Sequence, residues 1–351
     1  MKYSVLICMS FVLCMFLCSC QSIPIKAEAA CLSGKEIGVA NFSPDGNELV
    51  FSIGDKQNSS IYSVRIDGTN LVALTTGTTY DFDPVFSSDG RKILFSSVTL
   101  SSELNRQQGN ICLMNADGSE KLLLTTGPGH DYNPIFSPDG EKVFFLRSNR
   151  FGNYSPVALP AWHEIDIYSI KIAGASMNRI TTDKSYRMGS LSISSDGNTL
   201  MAIITPAKSP YSVWMIPINN PTDKIPVRPD LDEYKTIVPL LHMKAIDYDR
   251  LFNPQFSQDG TSMLFTWEGH YKKEYSELYI MDLKTNKAKQ ITDMKQYVYS
   301  PRFSPDGSRI TFSTVSHVQD GPFNSRNVPT LWTINKDGTG LNVIKLHLCQ
   351  Q

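Results

Sequence analysis

The side chains able to do chemistry are scattered rather than gathered. Histidines stand at 130, 163, 242, 270, 317 and 347. No G-x-S-x-G, H-E-x-x-H or Gly-rich phosphate loop accompanies them. Cys31-Leu32-Ser33-Gly34 matches no nucleophile motif. Asp recurs in Ser-x-Asp-Gly, but without the spacing of a calcium-binding EF-hand loop. No catalytic residue, metal ligand or cofactor is therefore assigned, and the chain is expected not to be an enzyme. Recognition chemistry is better represented. The stretch from Arg147 to Glu164 carries Arg147, Arg150, Phe151, Tyr154, Trp162 and His163, and Arg with aromatics is the composition of interface hot spots. Two readings stand for it: it docks a partner, or Trp162 and Tyr154 cover a neighbouring part of the molecule. A second set precedes prolines: Asp81-Phe82-Asp83, Asp131-Tyr132-Asn133, Leu251-Phe252-Asn253 and Val298-Tyr299-Ser300. Asp81, Asp131, Tyr132 and Tyr299 are candidates for gripping a peptide or sugar, against the alternative of plain packing. The residue just before each proline suits turn chemistry.

The scaffold that positions these groups is legible from composition and repetition. The 351 residues are 41% hydrophobic, enough for a core, with 22 Gly and 20 Pro, a turn-rich β composition. A net charge of −1, without Lys/Arg runs, argues against nucleic acid as partner. The start of the chain reads as a targeting signal. Lys2 precedes an uncharged apolar run, Ser4 to Leu17, which is short for a bilayer span and right for a secretory signal. Seven cysteines occur, at 8, 14, 18, 20, 31, 112 and 349. Cys112, inside an apolar strand-like run, reads as a buried inert thiol.

One pentapeptide recurs six times: FSPDG at Phe42, FSSDG at Phe86, FSPDG at Phe136, ISSDG at Ile193, FSQDG at Phe256 and FSPDG at Phe303. The intervals are 44, 50, 57, 63 and 47 residues, the range of arrays and propellers. Ser-Pro-Asp-Gly predicts a type I turn closed by a positive-φ glycine. Alternating segments follow each turn, such as ELVFS and KVFFLR, which predict strands with one better-buried face. Asp-Gly pairs at Asp67, Asp117 and Asp337 mark a second hairpin. Each repeat thus reads as an antiparallel meander of strands A, B, C and D. The predicted fold is all-β: a six-bladed β-propeller with four antiparallel strands per blade, spanning residues 36–351, because one small sheet cannot bury both faces alone.

Leu17-Cys18-Ser19-Cys20 resembles the bacterial lipobox. That resemblance implies a signal peptide at 1–20, lipidation of Cys20, a tether at 21–35, and a lipoprotein of the periplasm anchored to the outer membrane. Cleavage after Ala29 would instead give a secreted or cell-surface protein. The six F-S-x-D-G turns, the preceding prolines and the I-Y-x-x-x-x-D-G third strand resemble the WD-like propeller repeats of the TolB-like family. The resemblance runs over about residues 36 to 346. It implies the propeller fold and, for function, a protein-binding scaffold of the cell envelope, contacting membrane only through its anchor. The α/β domain that precedes the TolB propeller is not expected here, nor is the α/β-hydrolase domain of prolyl-oligopeptidase-like enzymes. The alternative function is a carbohydrate-binding or polysaccharide-lyase-like propeller, with a glycan as ligand. Lyases on related repeats use a His-centred metal site. Here His270 and His317 fall on B–C connections and His130 on a D–A connection, which argues against convergence.

In this topology the A–B and C–D turns share one face, and the B–C and D–A connections share the other. The pentapeptide turns read as structural and the opposite face as functional. Repeat three has the longest B–C loop (147–164), and repeat four an insertion within 217–250, a length that is functional or disordered in a compact domain. The repeat frame places Cys31 and Cys349 in the severed connection between repeats six and one. It predicts a disulfide stabilising by up to ~4–5 kcal/mol, with two unpaired thiols as the alternative.

Overall fold

A computed structural model describes residues 32, 34–55, 57–77, 79–99, 108–153, 160–205, 212–231, 251–268, 275–319 and 325–347. Cys20, Cys31, Cys349 and Tyr154 lie outside them, as do the signal segment and residues 232–250. Among the described residues the chain is all-β, and its one helical element is a 3-10 turn at Pro221–Asp223. Every sheet is open and mainly antiparallel. Repeats three to six each form a four-stranded sheet in the order A-B-C-D. Repeats one and two share a nine-stranded sheet. A single parallel pair, Ser59 with Tyr80, joins these two meanders.

The pentapeptide explains each A–B hairpin. In repeat three the Ser137 hydroxyl donates to Asp139 Oδ1 at 2.5 Å and accepts the Lys142 N–H at 2.9 Å. The Gly140 N–H bonds the Ser137 carbonyl, and Gly140 takes φ +72°. One hydroxyl thus ties the turn to the first residue of strand B. The other five turns repeat this N–H to Ser contact at 2.9–3.0 Å. The turns also nest side by side. A Cβ on Gly90 would lie 3.5 Å from Pro44, one on Gly197 3.5 Å from Pro138, and one on Gly46 3.9 Å from Pro305. The last contact brings repeat six against repeat one.

Strand B supplies the core. Five residues after each turn glycine stands Phe51, Phe95, Phe145, Phe265 or Phe312, each fully buried. In repeat four that position is Ala202, opposite Trp214 on strand C. Elsewhere the opposing residue is Tyr62, Tyr168, Tyr279 or Trp332, with ring centroids 5.6–6.5 Å apart, or Cys112. Bulk is kept across the strand pair rather than at one position, as dense packing requires. The first and last repeats share one core: Phe42, Leu49 and Phe51 cluster with Leu331, Ile344 and Leu346. Arg309 Nη2 also donates to the Gly46 carbonyl at 3.0 Å.

Strand A carries a device that the sequence hid. Asp83, Asn133, Asn253 and Ser300, each before a proline, take φ between 51° and 55°. Ser190, with no proline, takes 56°. Pairing with strand B shifts register at each of these points. These are β-bulges with a left-handed residue, which Asn and Asp tolerate best. Side chains at and beside the bulges stitch neighbouring repeats. Asn41 Nδ2 donates to the Pro84 carbonyl at 2.8 Å. Asn133 Oδ1 accepts the Leu191 N–H at 2.7 Å, and Gln255 Oε1 accepts the Phe303 N–H at 3.0 Å.

Candidate functional site

The predicted B–C loop of repeat three is largely strand. Strand B runs Lys142–Gly152 and strand C Ala161–Lys171, so the hairpin projects as an arm. Arg147, Arg150, Trp162 and His163 therefore sit on paired strands, not on a free loop. The pairs Arg150–His163 and Phe151–Trp162 extend the ladder outward. Between them and the core, Glu164 takes φ 57° and its carbonyl accepts Asn149 Nδ2 at 2.8 Å. Local alternation of β-prone residues outweighs the loop-like composition.

Along the arm and the start of strand A four rings line up. Phe151 meets Trp162 at 5.4 Å, and Trp162 stacks on His130 at 5.7 Å and 25°. His130 meets Tyr132 at 5.6 Å. The Tyr132 hydroxyl donates to the Met188 carbonyl of repeat four at 3.0 Å, and burial raises its phenol above the ordinary range. All four rings are half-buried. Nothing in the sequence joins His130 and Tyr132 to Phe151 and Trp162, because only the packing of strand A beside the paired arm brings them into one row.

The remaining candidates divide into locked and open groups. Arg147 grips Asp131 with two bonds, Nε–Oδ1 at 2.5 Å and Nη2–Oδ2 at 2.6 Å. Asp131 is 1% exposed, and the guanidinium lies over the Tyr168 and Phe145 rings. Asp81, also 1% exposed, accepts from Ser97 at 2.6 Å and faces Lys121 at 3.6 Å. His163 is buried, its Nδ1 3.1 Å from the Ala161 carbonyl. These groups hold strands together. Arg150 is open: its side chain is 65% exposed and pairs with Glu164 at 3.3 Å. Lys184 faces the same carboxylate at 3.7 Å. Tyr299 lines a separate groove of about 340 Å³ between repeats four, five and six, with Phe252, Tyr297 and Arg187. Among the described residues no three His, Cys, Asp or Glu side chains are grouped to hold a metal. Cys112 is buried, and burial pushes its thiol up to about 11, away from reactivity.

A second cavity of about 340 Å³ opens on the opposite face, among the pentapeptide turns. Its wall takes residues from every repeat: Asn41, Asp83, Asn133, Ser192, Gln255 and Arg302. Sequence reasoning takes that face as structural and misses it. The uniform turns give no signal of the unlike residues that follow from the bulges below them.

No protein-family model matches the sequence, and no curated protein matches it. Solved structures do resemble it. TolB from Acinetobacter baumannii superposes with a TM-score of 0.56 at 16% identity, over 88% of this chain and 63% of that one. Oligogalacturonate lyase from Vibrio parahaemolyticus gives 0.55 at 14% identity, over 90% and 80%. A prolyl endopeptidase gives 0.52 at 11% identity, over 88% and 42%. The fold is thus of the β-propeller class and TolB-like. The expectation that the chain is not an enzyme is corrected by these matches: a lyase and a peptidase share the fold, so the fold alone does not decide for or against catalysis. Among the described residues no helix is long and apolar enough to cross a membrane.

Proposed function

We propose that the six repeats close as a six-bladed propeller, and that its B–C/D–A face binds a protein of the bacterial cell envelope. The row Phe151–Trp162–His130–Tyr132 carries this reading. It offers large, half-buried aromatic area beside the charged rim of Arg150, Glu164 and Lys184. An apolar centre with a charged edge is the anatomy of a protein interface. The first-to-last packing of repeats supports closure. The apolar run before Leu17-Cys18-Ser19-Cys20 supports export, with Cys20 as the lipid-bearing residue and the outer membrane as its destination.

The docking test compares cross-linked partners of wild type and of Trp162→Ala, whose fold is checked by circular dichroism. The expected result is loss of a specific envelope protein with Trp162→Ala and with Arg150→Glu. An unchanged partner set removes the arm as the docking surface. Glycan-array binding that depends on Trp162 would instead assign the row to a sugar. Cys20→Ser should move the protein to the soluble fraction; retention on membranes would refute anchoring at that residue.

A further inference from the structure

The cavity among the pentapeptide turns holds two opposite charges that do not meet. Asp83 stands in its wall from repeat two and Arg302 from repeat six. Among the described residues no ion pair joins them, although each feels the other's charge. No hydrogen bond to the Asp83 carboxylate is present among those residues. Among the described residues Arg302 donates only through Nη1, to the Pro301 carbonyl at 2.8 Å. Burial pushes the Asp83 carboxyl up to about 6, partly opposed by Arg302, and lowers Arg302 to about 10. Both side chains are half-buried, and charges drawn from water in proteins are ordinarily paired or hydrogen-bonded, so this arrangement leaves both open to a charged ligand. Two amides add donors. Asn133 and Gln255 each spend their oxygen on the next repeat's backbone, which leaves their NH₂ groups for the cavity that both line. The mouth is open, rimmed by exposed Ser88, Pro138, Ser195 and Gln258.

We propose that this cavity binds a small zwitterion of the α-amino-acid class, its ammonium at Asp83 and its carboxylate at Arg302 with Asn133 and Gln255. A carboxylate suits the guanidinium's planar donors, and an ammonium completes the carboxylate of Asp83. Volume permits it: about 340 Å³ matches roughly ten waters at about 30 Å³ each. Apolar residues in the wall, Val85, Phe86 and Ile135 among them, leave room for an aliphatic side chain. The site lies on the face opposite Trp162, so it stands independently of the docking proposal.

The test is calorimetric titration and thermal-shift measurement on the full chain with L-alanine, L-leucine and L-glutamine. N-acetyl-L-alanine and L-alaninamide serve as probes lacking one charge. At least one free amino acid should bind in the millimolar range or tighter. Each blocked derivative should bind about tenfold weaker or worse, the loss expected for one charge-assisted hydrogen bond. Asp83→Asn and Arg302→Gln should each weaken binding by about tenfold or more, while Trp162→Ala leaves it unchanged. Absence of binding by all three amino acids overturns the proposal. So does equal binding of free and blocked alanine, a comparison on wild-type protein that holds even if a variant fails to fold.

Discussion

The two faces of this molecule are built on opposite plans. On the turn face, six near-identical pentapeptides make the same Ser hydroxyl bridge to strand B. Variation there is confined to the bulge region beneath, where Asp83, Asn133, Gln255 and Arg302 differ in charge. On the other face the connections differ in length, and repeat three throws out an eleven-residue pair of strands. Much of the chemistry that looks functional on that arm is structural: Asp131 and His163 are buried and Arg147 half-buried, and each is partnered. Regular sequence therefore does not mean inert surface, and irregular sequence does not mean free loop. What distinguishes the groups available to a ligand is whether the neighbouring strand already satisfies them.

That contrast can be broken by measurement. Asp131→Ala should cost the most, about 3–5 kcal/mol, because it leaves Arg147 half-buried and unpaired. Urea denaturation reads it, and a near-zero cost with lost partner binding would move Asp131 into the functional group. Ser137→Ala should cost about 1–3 kcal/mol by orphaning the Lys142 N–H, with similar values for Ser43→Ala and Ser304→Ala. Unequal costs would show that the turns are not equivalent. The pH response should separate the turns from the cavity beneath them by sign. Hydrogen bonds from Ser257 and Ser304, followed by those from Thr261 and Ser308, lower Asp259 and Asp306 to about 2 from 3.8. Their stabilisation is present above about pH 4 and lost as pH falls through about 2. Asp83 runs the other way: raised to about 6, it favours the folded state below about pH 4 and loses that contribution as pH rises through about 6. Asp83→Asn should therefore flatten the stability profile between those values, as read by thermal melts across pH. Arg150→Ala should change stability least, by less than about 1 kcal/mol, since its pair with Glu164 is exposed; a larger loss would show that the arm depends on it.

Much of the architecture is legible in the residues alone. The turn residues mark six hairpins because Ser, Asp and Gly have few other uses in that order. Asp67, Asp117 and Asp337 place the C–D turns, and the apolar alternation of strand B places the buried phenylalanines. Repeat four's compensation is not legible, since Ala202 only makes sense opposite Trp214. Nor is the row through His130: Trp162 is distant from it in sequence, and the two meet only because the arm of repeat three folds back as a paired hairpin beside strand A. The arm reads as loop in sequence because its Arg, Asn and Pro content masks a ladder that continues from the core.

By itself the chain order dictated local geometry: where it reverses, which residues alternate, and how often the unit recurs. These follow from short-range sterics and hydrogen bonding within a few residues. Tertiary packing alone decided which charges found partners. Arg147 met Asp131 across one strand pair, while Asp83 and Arg302, from repeats two and six, were brought to one cavity without a bond between them. The first pair forms within the A–B hairpin of repeat three, whereas the second depends on distances between backbones of several repeats, which no single repeat encodes.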